Sequence, residues 1–267
     1  MIYLIYVLLY LIIFIFGAVI GSFLNVLIYR IPRKISFVKG FSHCPSCDHR
    51  LHPIDLIPII SYLSVGRKCR YCREPISPRY MIVEIIGGLL AVASALAFMN
   101  PTAFLEPKFA NLTSAAVILY FVVLCILLVI TYIDNDTMEI PYSLNIALAI
   151  CGIAAIWLGP DVPIVSRLIG LVAVSVPLFL ISFFISGAFG GGDVLLMAAA
   201  GFFLGWQNVL VAFFIGLLIG GVYGIFVLIT RKKGRKEHFA FGPALCIGIA
   251  VAMFVGKLIF SWYFSLL

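Results

Sequence analysis

The stretch that decides the fold is residues 2–29, IYLIYVLLYLIIFIFGAVIGSFLNVLIY, which contains no charged side chain. The first charge in the chain is Arg30, directly after it. A run of about 20 apolar residues is long enough to cross the hydrocarbon core of a bilayer as a helix. A cleavable secretory signal has a basic region before the apolar run and a processing site after it, and this stretch has neither. We therefore expect residues 2–29 to be a retained membrane helix with its N-terminus outside.

The composition of the whole chain agrees with a membrane protein. Hydrophobic residues make up 64% of the 267 residues, and charged residues make up only 11%. Soluble domains are about 45–50% apolar and about 25% charged, so a soluble fold of this size could not bury so much apolar surface. The sequence predicts an all-α polytopic membrane protein, and it excludes a disordered chain or a small disulfide-bonded scaffold.

The net charge of +7 does not indicate a nucleic-acid partner, because the basic residues are grouped between apolar runs. Ten of the 18 Lys and Arg residues lie from Arg30 to Arg79, and five more lie from Arg231 to Lys236. Cytoplasmic loops of membrane proteins carry such an excess of positive charge. We expect both basic segments on the cytoplasmic side, with the lipid bilayer rather than nucleic acid as the partner.

The apolar runs predict about eight transmembrane helices. The predicted spans are 3–29, 82–99, 114–133, 143–159, 164–186, 194–206, 208–230 and 243–265. Alternation from an outside N-terminus predicts four cytoplasmic segments, which are 30–81, 134–142, 187–193 and 231–242. Both basic segments then fall on one side of the membrane, which supports the helix count independently of hydropathy.

This arrangement divides the chain into three parts. Residues 1–29 are a first transmembrane helix, residues 30–81 are a small cytoplasmic insertion, and residues 82–267 are the remaining membrane domain. The insertion is too short for a large hydrophobic core, so it needs another source of stability, such as a bound metal.

Two CxxC motifs inside the insertion predict a metal site. CPSC at 44–47 and CRYC at 69–72 are separated by 21 residues. Two such pairs at this spacing are typical of a zinc ion held by four thiolates, and a reducing cytosol disfavours disulfides. Four sulfur ligands leave no open position, so we expect a structural zinc, with a redox-active thiol pair as the alternative. The predicted ligands are Cys44, Cys47, Cys69 and Cys72.

Two acidic segments follow directly on predicted spans. The first is IDNDTMEIP at 133–141, in which Asp134 stands at the cytoplasmic end of the third span. The second is GAFGGGD at 187–193, in which three consecutive glycines precede Asp193. Each has an ordinary structural interpretation, the first as a polar turn between helices and the second as a flexible loop in which the aspartate caps the next helix.

Taken together, the two segments predict a catalytic pair. The topology places Asp134 and Asp193 on the same face of the membrane at similar depth. Two carboxylates that meet cannot both ionise easily, so one is protonated while the other stays a base. One can then activate water while the other donates a proton to a scissile carbonyl, which is the chemistry of aspartyl hydrolysis.

Five motifs stand in order along the chain. They are GSFLNVLIYRIP at 21–32, ISPRYMIVE at 76–84, DNDTMEIP at 134–141, GGGD at 190–193 and FGP at 241–243. With the paired CxxC motifs, their order and spacing resemble the type IV prepilin peptidases, the bifunctional leader peptidases and N-methyltransferases of bacterial membranes. The likeness covers nearly the whole chain, and Asp134 and Asp193 match the two catalytic positions of that family.

The resemblance implies a substrate, a methyl donor and a location. Type IV prepilins and pseudopilins carry a short basic leader, which is cut at a Gly–Phe bond on the cytoplasmic side. The new N-terminus is then methylated with S-adenosylmethionine as donor, an activity that the resemblance assigns to residues 30–81 without identifying catalytic residues. It also implies a multi-pass protein of the bacterial inner or plasma membrane, with its active site facing the cytoplasm.

The same likeness suggests which residues contact the substrate. We expect the glycine segment to allow close approach of the substrate backbone, and nearby carboxylates to attract the basic leader. The predicted substrate-binding residues are Gly190, Gly191, Gly192, Asp136, Glu139 and Glu84.

One position departs from the family's pattern. The family usually places Lys two residues after the second aspartate, whereas this chain has Leu195 there. Three alternatives stay open: a peptidase without methyltransferase activity, a zinc-stabilised scaffold without catalysis, and an ion-coupled transporter or channel that uses the two aspartates. The sequence identifies neither the particular prepilin nor the oligomeric state.

Overall fold

The computed structural model describes residues 2–98, 110–158, 162–185, 189–230 and 240–265. Within these ranges the regular structure is helical, and the strand-type pairing is limited to two isolated bridges. The helices are α1 (Ile2–Arg30), α2 (Ile60–Ser64), α3 (Arg79–Phe98), α4 (Ala110–Thr137), α5 (Tyr142–Leu158), α6 (Ile164–Ala173), α7 (Ser175–Phe184), α8 (Gly191–Leu204), α9 (Trp206–Thr230) and α10 (Gly242–Phe264), with a 3₁₀ turn at Pro53–Leu56. The all-α prediction is confirmed.

Six helical segments of the described residues are long and apolar enough to cross a membrane: α1, α3, α4, α6 with α7, α9 and α10. Two more of the predicted spans correspond to the shorter apolar helices α5 and α8. At about 1.5 Å of rise per residue, the 14 residues of α8 fall short of a hydrocarbon core about 30 Å thick. The predicted span at 194–206 is therefore a helix that cannot cross the bilayer by its own length.

The chain forms two compact units. Unit 1 is Met1–Phe121, which contains α1, α2, α3, the cysteine motifs and the start of α4. Unit 2 is Val122–Leu267, which contains the rest of α4 and all later helices.

Helices α1 and α3 of unit 1 pack backbone to backbone. A Cβ atom on Gly17 would lie 2.5 Å from the carbonyl oxygen of Gly87, and one on Gly21 would lie 2.8 Å from Cα of Glu84. Gly17 and Gly21 form a GxxxG motif, which lets membrane helices approach closely. The insertion therefore connects the ends of two helices that contact each other through their glycines.

The fifth predicted span, 164–186, is broken into α6 and α7. Pro177 lies in the first turn of α7 and has no N–H to donate to the carbonyl of Ala173, where α6 ends. Val174 stands at the break with φ −109° and ψ −40°. The missing helical hydrogen bond explains why one apolar run gives two helices.

A buried arginine joins two helix ends in unit 2. Arg167, only 1% exposed, donates to the carbonyls of Ala155 in α5 and of Phe202 and Phe203 in α8. These carbonyls belong to the last turns of their helices, where a cation is favoured. Arg167 thus holds the C-terminal end of α8, whose N-terminal end carries Asp193.

Candidate active site

Asp134 lies in the last turn of α4, one turn further into the helix than the sequence predicted. The helix continues to Thr137, and Met138 with φ +56° ends it. Asp134 is 5% exposed, and its Oδ2 accepts a hydrogen bond of 2.9 Å from the backbone N–H of Gly242. A buried carboxylate is thereby held by the first residue of α10.

Gly242 has no room for a side chain. A Cβ atom there would lie 2.5 Å from Oδ2 of Asp134 and 3.2 Å from Cδ1 of Ile140. Pro243 follows at the start of α10, where proline is compatible with a helix. The motif FGP at 241–243 therefore brings a donating N–H against the aspartate.

Asp193 lies in the first turn of α8, and the helix begins earlier than expected. The segment 187–193 was predicted to be a non-helical loop, but α8 starts at Gly191 and Gly190 is its N-cap. Oδ2 of Asp193 accepts a hydrogen bond of 3.1 Å from the N–H of Gly190, so one backbone donor at the start of α8 has a partner. This bond explains why the helix can begin with glycines. In the ordinary structural interpretation Asp193 would itself be the N-cap, whereas in the structure Gly190 is the N-cap and Asp193 is the third residue of the helix. Residues 186–188 of the predicted loop lie outside the described ranges.

Ile140 of the first acidic segment packs against Gly192 of the second. A Cβ atom on Gly192 would lie 2.9 Å from Cβ of Ile140, whose Cδ1 also lies beside Gly242. Asn145 of α5 donates from Nδ2 to the carbonyl of Gly192 at 3.4 Å. Its buried Oδ1 accepts no hydrogen bond from the described residues.

Both aspartates are therefore buried in unit 2, and the segments that carry them meet through the contacts of Ile140 with Gly192 and Gly242. Each carboxylate accepts one backbone N–H, from Gly242 and Gly190 respectively. Two adjacent buried carboxyl groups favour a state that shares one proton. The arrangement can hold a proton on the carboxylate of Asp134 or on that of Asp193.

Sequence reasoning did not assign roles to Ile140, Asn145 or Gly242. Gly242 belongs to a motif that the sequence analysis singled out, but its contact partner is 108 residues away. Ile140 lies inside the first acidic motif as an ordinary apolar residue. Their roles depend on which helix ends meet, which local pattern does not reveal.

The remaining predicted substrate residues fall into two groups. Asp136 and Glu139 are exposed beside the end of α4 in unit 2, and Leu195 is 42% exposed on α8. Glu84 is buried in unit 1, where its carboxylate accepts the N–H of Ile59 at 2.7 Å. Glu84 thus belongs to the same unit as the cysteine motifs.

The four cysteines meet in unit 1. Their sulfur atoms all lie within 4.8 Å of one another, and Sγ of Cys44 is 3.9 Å from Sγ of Cys72. A tetrahedral zinc site with Zn–S bonds of about 2.3 Å has sulfurs about 3.8 Å apart. The donor set and its spacing fit a four-thiolate metal ion. The four residues of this group are Cys44, Cys47, Cys69 and Cys72.

The two cysteine motifs adopt the same local structure, a knuckle at 44–49 and a second at 69–74. In the first, the N–H of Cys44 donates to the carbonyl of His49 and the N–H of Asp48 donates to that of Cys44. Cys69 and Arg73 repeat these two bonds in the second knuckle. Asp48 and Arg73 both have positive φ, +55° and +64°. Each motif thus forms its own turn and aims two sulfurs inward.

The thiols differ in acidity as closely packed sulfurs should. Burial opposes ionisation of Cys44, but the backbone N–H groups of Cys47 and Ser46 lower its pKa to about 7. The backbone of Glu74 favours the Cys72 thiolate, yet desolvation and the neighbouring thiols raise the pKa of Cys72 to about 12. Sulfurs packed this closely could all ionise only around a cation, because neighbouring thiolates repel one another.

Polar and ring contacts join the knuckles. The carboxylate of Asp55 lies 3.0 Å from Nε of Arg70 and accepts the hydroxyl of Tyr71 at 2.9 Å. The hydrogen bond to that carboxylate raises the pKa of Tyr71. The ring of Tyr71 lies 3.7 Å from that of His49, which links the second knuckle to the first.

Two family models match the chain. The Bacterial Peptidase A24 N-terminal domain matches residues 15–98, which include the four cysteines, and the Type IV leader peptidase family matches residues 121–225, which include both aspartates. The two matches thus cover both candidate sites.

Several proteins named prepilin leader peptidase/N-methyltransferase are similar over most of the chain. That of Aeromonas salmonicida (strain A449) is 31% identical over 95% of this chain and 93% of its own length. That of Bacillus subtilis (strain 168) is 31% identical over 96% of this chain and 98% of its own length. That of Neisseria gonorrhoeae is 32% identical over 86% and 85%.

No solved structure is a significant match to the chain. The six apolar helices and the bacterial relatives point to a multi-pass protein of the bacterial inner membrane. The leader peptidase model identifies a peptidase. The motifs, the helical architecture and the relatives agree: the chain belongs to the prepilin leader peptidase/N-methyltransferase family.

Proposed function

We propose that the protein removes the basic leader of type IV prepilins and pseudopilins by an aspartyl mechanism and then N-methylates the new N-terminus. The observation that carries the peptidase part is the burial of Asp134 and Asp193 together, each held by one backbone N–H. The names of the relatives support the prepilin substrate and the methyl transfer.

In this mechanism one aspartate acts as general base and the other as general acid in the same hydrolysis. One carboxylate takes a proton from the attacking water, while the other, protonated, donates to the oxygen of the scissile carbonyl. Gly242 and Gly190 keep the carboxylates oriented through their N–H groups. Since the pair acts as a unit, the roles of the two aspartates can exchange between steps.

The glycine segment is proposed to lie against the substrate backbone. Among the described residues, a Cβ atom on Gly191 would meet no atom within 4 Å, so this face of the α8 N-terminus is open to them. Gly190 and Gly192 flank Gly191, and the face of Gly192 is covered by the side chain of Ile140. We infer that an extended substrate segment with Gly before the cut and Phe after it passes over Gly191.

We assign leader recognition first to Asp136 and Glu139. Both are exposed acids beside the Asp134 helix end, where a basic leader can reach them. If this attraction is electrostatic, KM should rise with salt, because exposed charges are screened over about 10 Å at 0.1 M ionic strength. A KM that does not change between low and high salt would exclude this role.

The four-cysteine cluster is proposed to hold a structural zinc ion. Cys44, Cys47, Cys69 and Cys72 would supply all four ligands, and the ion would balance the thiolate charge and close the insertion. We place methyl transfer, with S-adenosylmethionine as donor, in the part built from residues 30–81. The peptidase part is assigned to residues 82–267, and residues 1–29 form the first membrane helix.

The catalytic side is proposed to face the cytoplasm. The basic segments 30–79 and 231–236 support this orientation through the positive-inside rule. Labelling of a cysteine introduced at position 136 or 37, compared with the same variant without it, would test the orientation in oriented vesicles. The background lacks the three membrane-helix cysteines and keeps the four of the metal cluster. Labelling from the periplasmic side would contradict the orientation.

The experiment that tests the function is an intact-mass measurement. Purified protein in detergent is incubated with a prepilin and S-adenosylmethionine, beside the Asp193→Asn variant. We expect loss of the leader and gain of one methyl group, with neither in the variant. Cleavage without the methyl group would leave a peptidase alone, and no cleavage of a validated prepilin would contradict the proposal.

A further inference from the structure

A cavity of about 650 Å³ lies within unit 1. Its wall is formed by the last three turns of α1, the first turns of α3, both cysteine knuckles and the segment between them. Pockets that enclose small molecules usually measure about 300–1,000 Å³ and are mostly apolar with a few placed polar groups. The cavity is thus large enough for a nucleoside-sized ligand, and it uses more of the chain than residues 30–81.

Glu84 is the buried acid of this cavity. It lines the wall from α3 and is 7% exposed. Its carboxylate accepts the backbone N–H of Ile59 at 2.7 Å and a hydroxyl hydrogen bond from Ser22. Among the described residues, no Lys, Arg or His nitrogen lies within 4.0 Å of it. A carboxylate held by neutral donors alone leaves a place for a positively charged ligand.

Two other buried charged side chains of the wall, Asp55 and Arg30, are already engaged. Asp55 faces Arg70 at 3.0 Å and accepts from Tyr71. The guanidinium of Arg30 donates to three carbonyls, those of Ser36, Lys39 and Phe41, and so orders the loop after α1. Of the buried carboxylates in the wall, Asp55 has a cationic partner and Glu84 has none among the described residues; Glu74 also lines the cavity but is exposed.

Aromatic side chains form much of the remaining surface. Tyr29 and Phe23 of α1, Tyr80 of α3, and Tyr62 and Tyr71 of the insertion all line the cavity. Aromatic faces stack on planar bases and attract cations such as quaternary ammonium groups. The wall therefore combines surfaces for a nucleobase with one buried negative charge.

We propose that this cavity binds S-adenosylmethionine and that Glu84 is the partner of its positive charge. The inference rests on the proposed methyl transfer and gives it a binding site. It also separates Glu84 from the leader contacts, because a leader with several basic residues needs exposed acids, whereas one buried carboxylate balances a ligand with a net charge of one.

The chemistry of the donor explains why a carboxylate is suited to this place. Transfer breaks the bond between sulfur and methyl carbon and forms one between that carbon and the amine nitrogen, which then releases a proton to water. The sulfur, positive before transfer, becomes a neutral thioether in S-adenosylhomocysteine. A buried carboxylate therefore favours the donor over the spent product, which eases product release.

Equilibrium binding to the purified full-length protein in detergent tests this inference. We expect the wild type to bind S-adenosylmethionine more tightly than S-adenosylhomocysteine. In Glu84→Gln we expect donor affinity to fall by about tenfold or more, as for removal of one partner of a buried charge pair, with a much smaller change for the product. Asp48→Asn removes the same charge from an exposed position outside the cavity and should change neither affinity.

The outcomes separate this inference from the proposed function. If the wild type methylates its product but Glu84→Gln binds the donor unchanged, the cavity assignment is wrong and the activity stands. If the wild type neither binds the donor nor methylates, both are overturned. Equal loss of affinity for donor and product in Glu84→Gln would also overturn the charge role.

A second measurement needs no variant. Ultraviolet irradiation of the wild type with S-adenosylmethionine labelled in its methyl group, followed by peptide mapping, should place the label on peptides of unit 1 that contain Tyr71 or Tyr80. Excess S-adenosylhomocysteine should suppress it. Label confined to peptides of unit 2 would contradict the assignment even if Glu84→Gln does not fold.

Discussion

The backbone N–H of Gly242 donates to Oδ2 of Asp134 at 2.9 Å across 108 residues of sequence. The bond joins the first residue of α10 to the last turn of α4. Because a Cβ atom on Gly242 would lie 2.5 Å from the same oxygen, the carboxylate and the helix start fit only when residue 242 has no side chain. The final helix of the chain therefore takes part in the aspartate site.

Gly242→Ala should impair cleavage strongly while the protein still folds. The added methyl group must displace the Asp134 carboxylate, and a misplacement of about 1 Å in a catalytic group can cost about 100-fold in rate. Measured kcat with a prepilin should fall by at least that order. The control is Gly221→Ala in α9, where a Cβ atom meets no atom of the described residues within 4 Å. Similar losses in both variants would mean that general helix effects dominate.

Two neighbouring glycines of α8 should respond differently to alanine. Gly192→Ala brings a Cβ atom to 2.9 Å from Cβ of Ile140, so we expect a lower melting temperature in detergent. Gly191→Ala meets no neighbour among the residues that the structure describes and should leave the melting temperature unchanged. If Gly191→Ala nevertheless raises KM, the open face of Gly191 contacts substrate as proposed. Unchanged KM and kcat would remove residue 191 from the binding surface.

The two aspartates should behave as one unit in kinetics. Asp134→Asn and Asp193→Asn should each lower kcat by at least about 1,000-fold, and the double variant should be no worse than either alone, because catalytic groups that act together are strongly non-additive. The readout is single-turnover cleavage. Methylation of a synthetic peptide that already has the mature N-terminus should persist in all three, and independent additive losses would argue against a shared mechanism.

Loss of the metal should affect the two activities unequally. Cys69→Ser with Cys72→Ser removes one whole knuckle, so we expect bound zinc to fall from one ion per chain to none, and methylation to be lost with it. Cleavage should be affected less, because both aspartates lie in unit 2. Metal content by mass spectrometry and the two product masses provide the test. Full methylation without bound metal would refute a zinc-dependent donor site.

Arg167 should be important for stability rather than for chemistry. Replacing it by Met leaves the carbonyls of Ala155, Phe202 and Phe203 without this donor inside the protein. Each buried polar group left unsatisfied costs about 1–3 kcal/mol, so thermal unfolding in detergent should shift down by several degrees. Lys257→Met, at an exposed position of α10, is the control. An unchanged melting temperature for Arg167→Met would show that these bonds are replaced by water.

The apolar runs and the cysteines were the most predictable parts of this fold. Backbone groups inside a membrane must be satisfied without water, which favours helices, so hydropathy alone located the apolar helices, with α6 and α7 predicted as a single span. The CxxC spacing likewise predicted a cluster whose sulfurs meet within 4.8 Å. Both signals are local, and neither depends on how the helices pack.

The predictions from sequence were wrong where side-chain contacts, or a proline, override the local pattern. The glycines before Asp193 indicated a loop, yet the Asp193 carboxylate accepts the N–H of Gly190 and starts α8 there. Pro177 offered a readable signal for the break between α6 and α7 that hydropathy obscured. Glu84 and Gly242 could not be interpreted from sequence, because their partners, Ile59 and Asp134, lie 25 and 108 residues away.

The repeated geometry of the two knuckles has a consequence for how such proteins can diversify. Each knuckle completes its turn within six residues, so the intervening strap from 50 to 66 is not needed to shape either one. Mutation can therefore lengthen, shorten or rewrite the strap while both knuckles stay intact, provided that Asp55 keeps its contacts with Arg70 and Tyr71. The strap carries Ile59, whose N–H donates to Glu84 in the wall of the unit 1 cavity. Changes in the strap would therefore alter that wall first. The insertion thus separates a part that must be preserved from a part that is free to adapt.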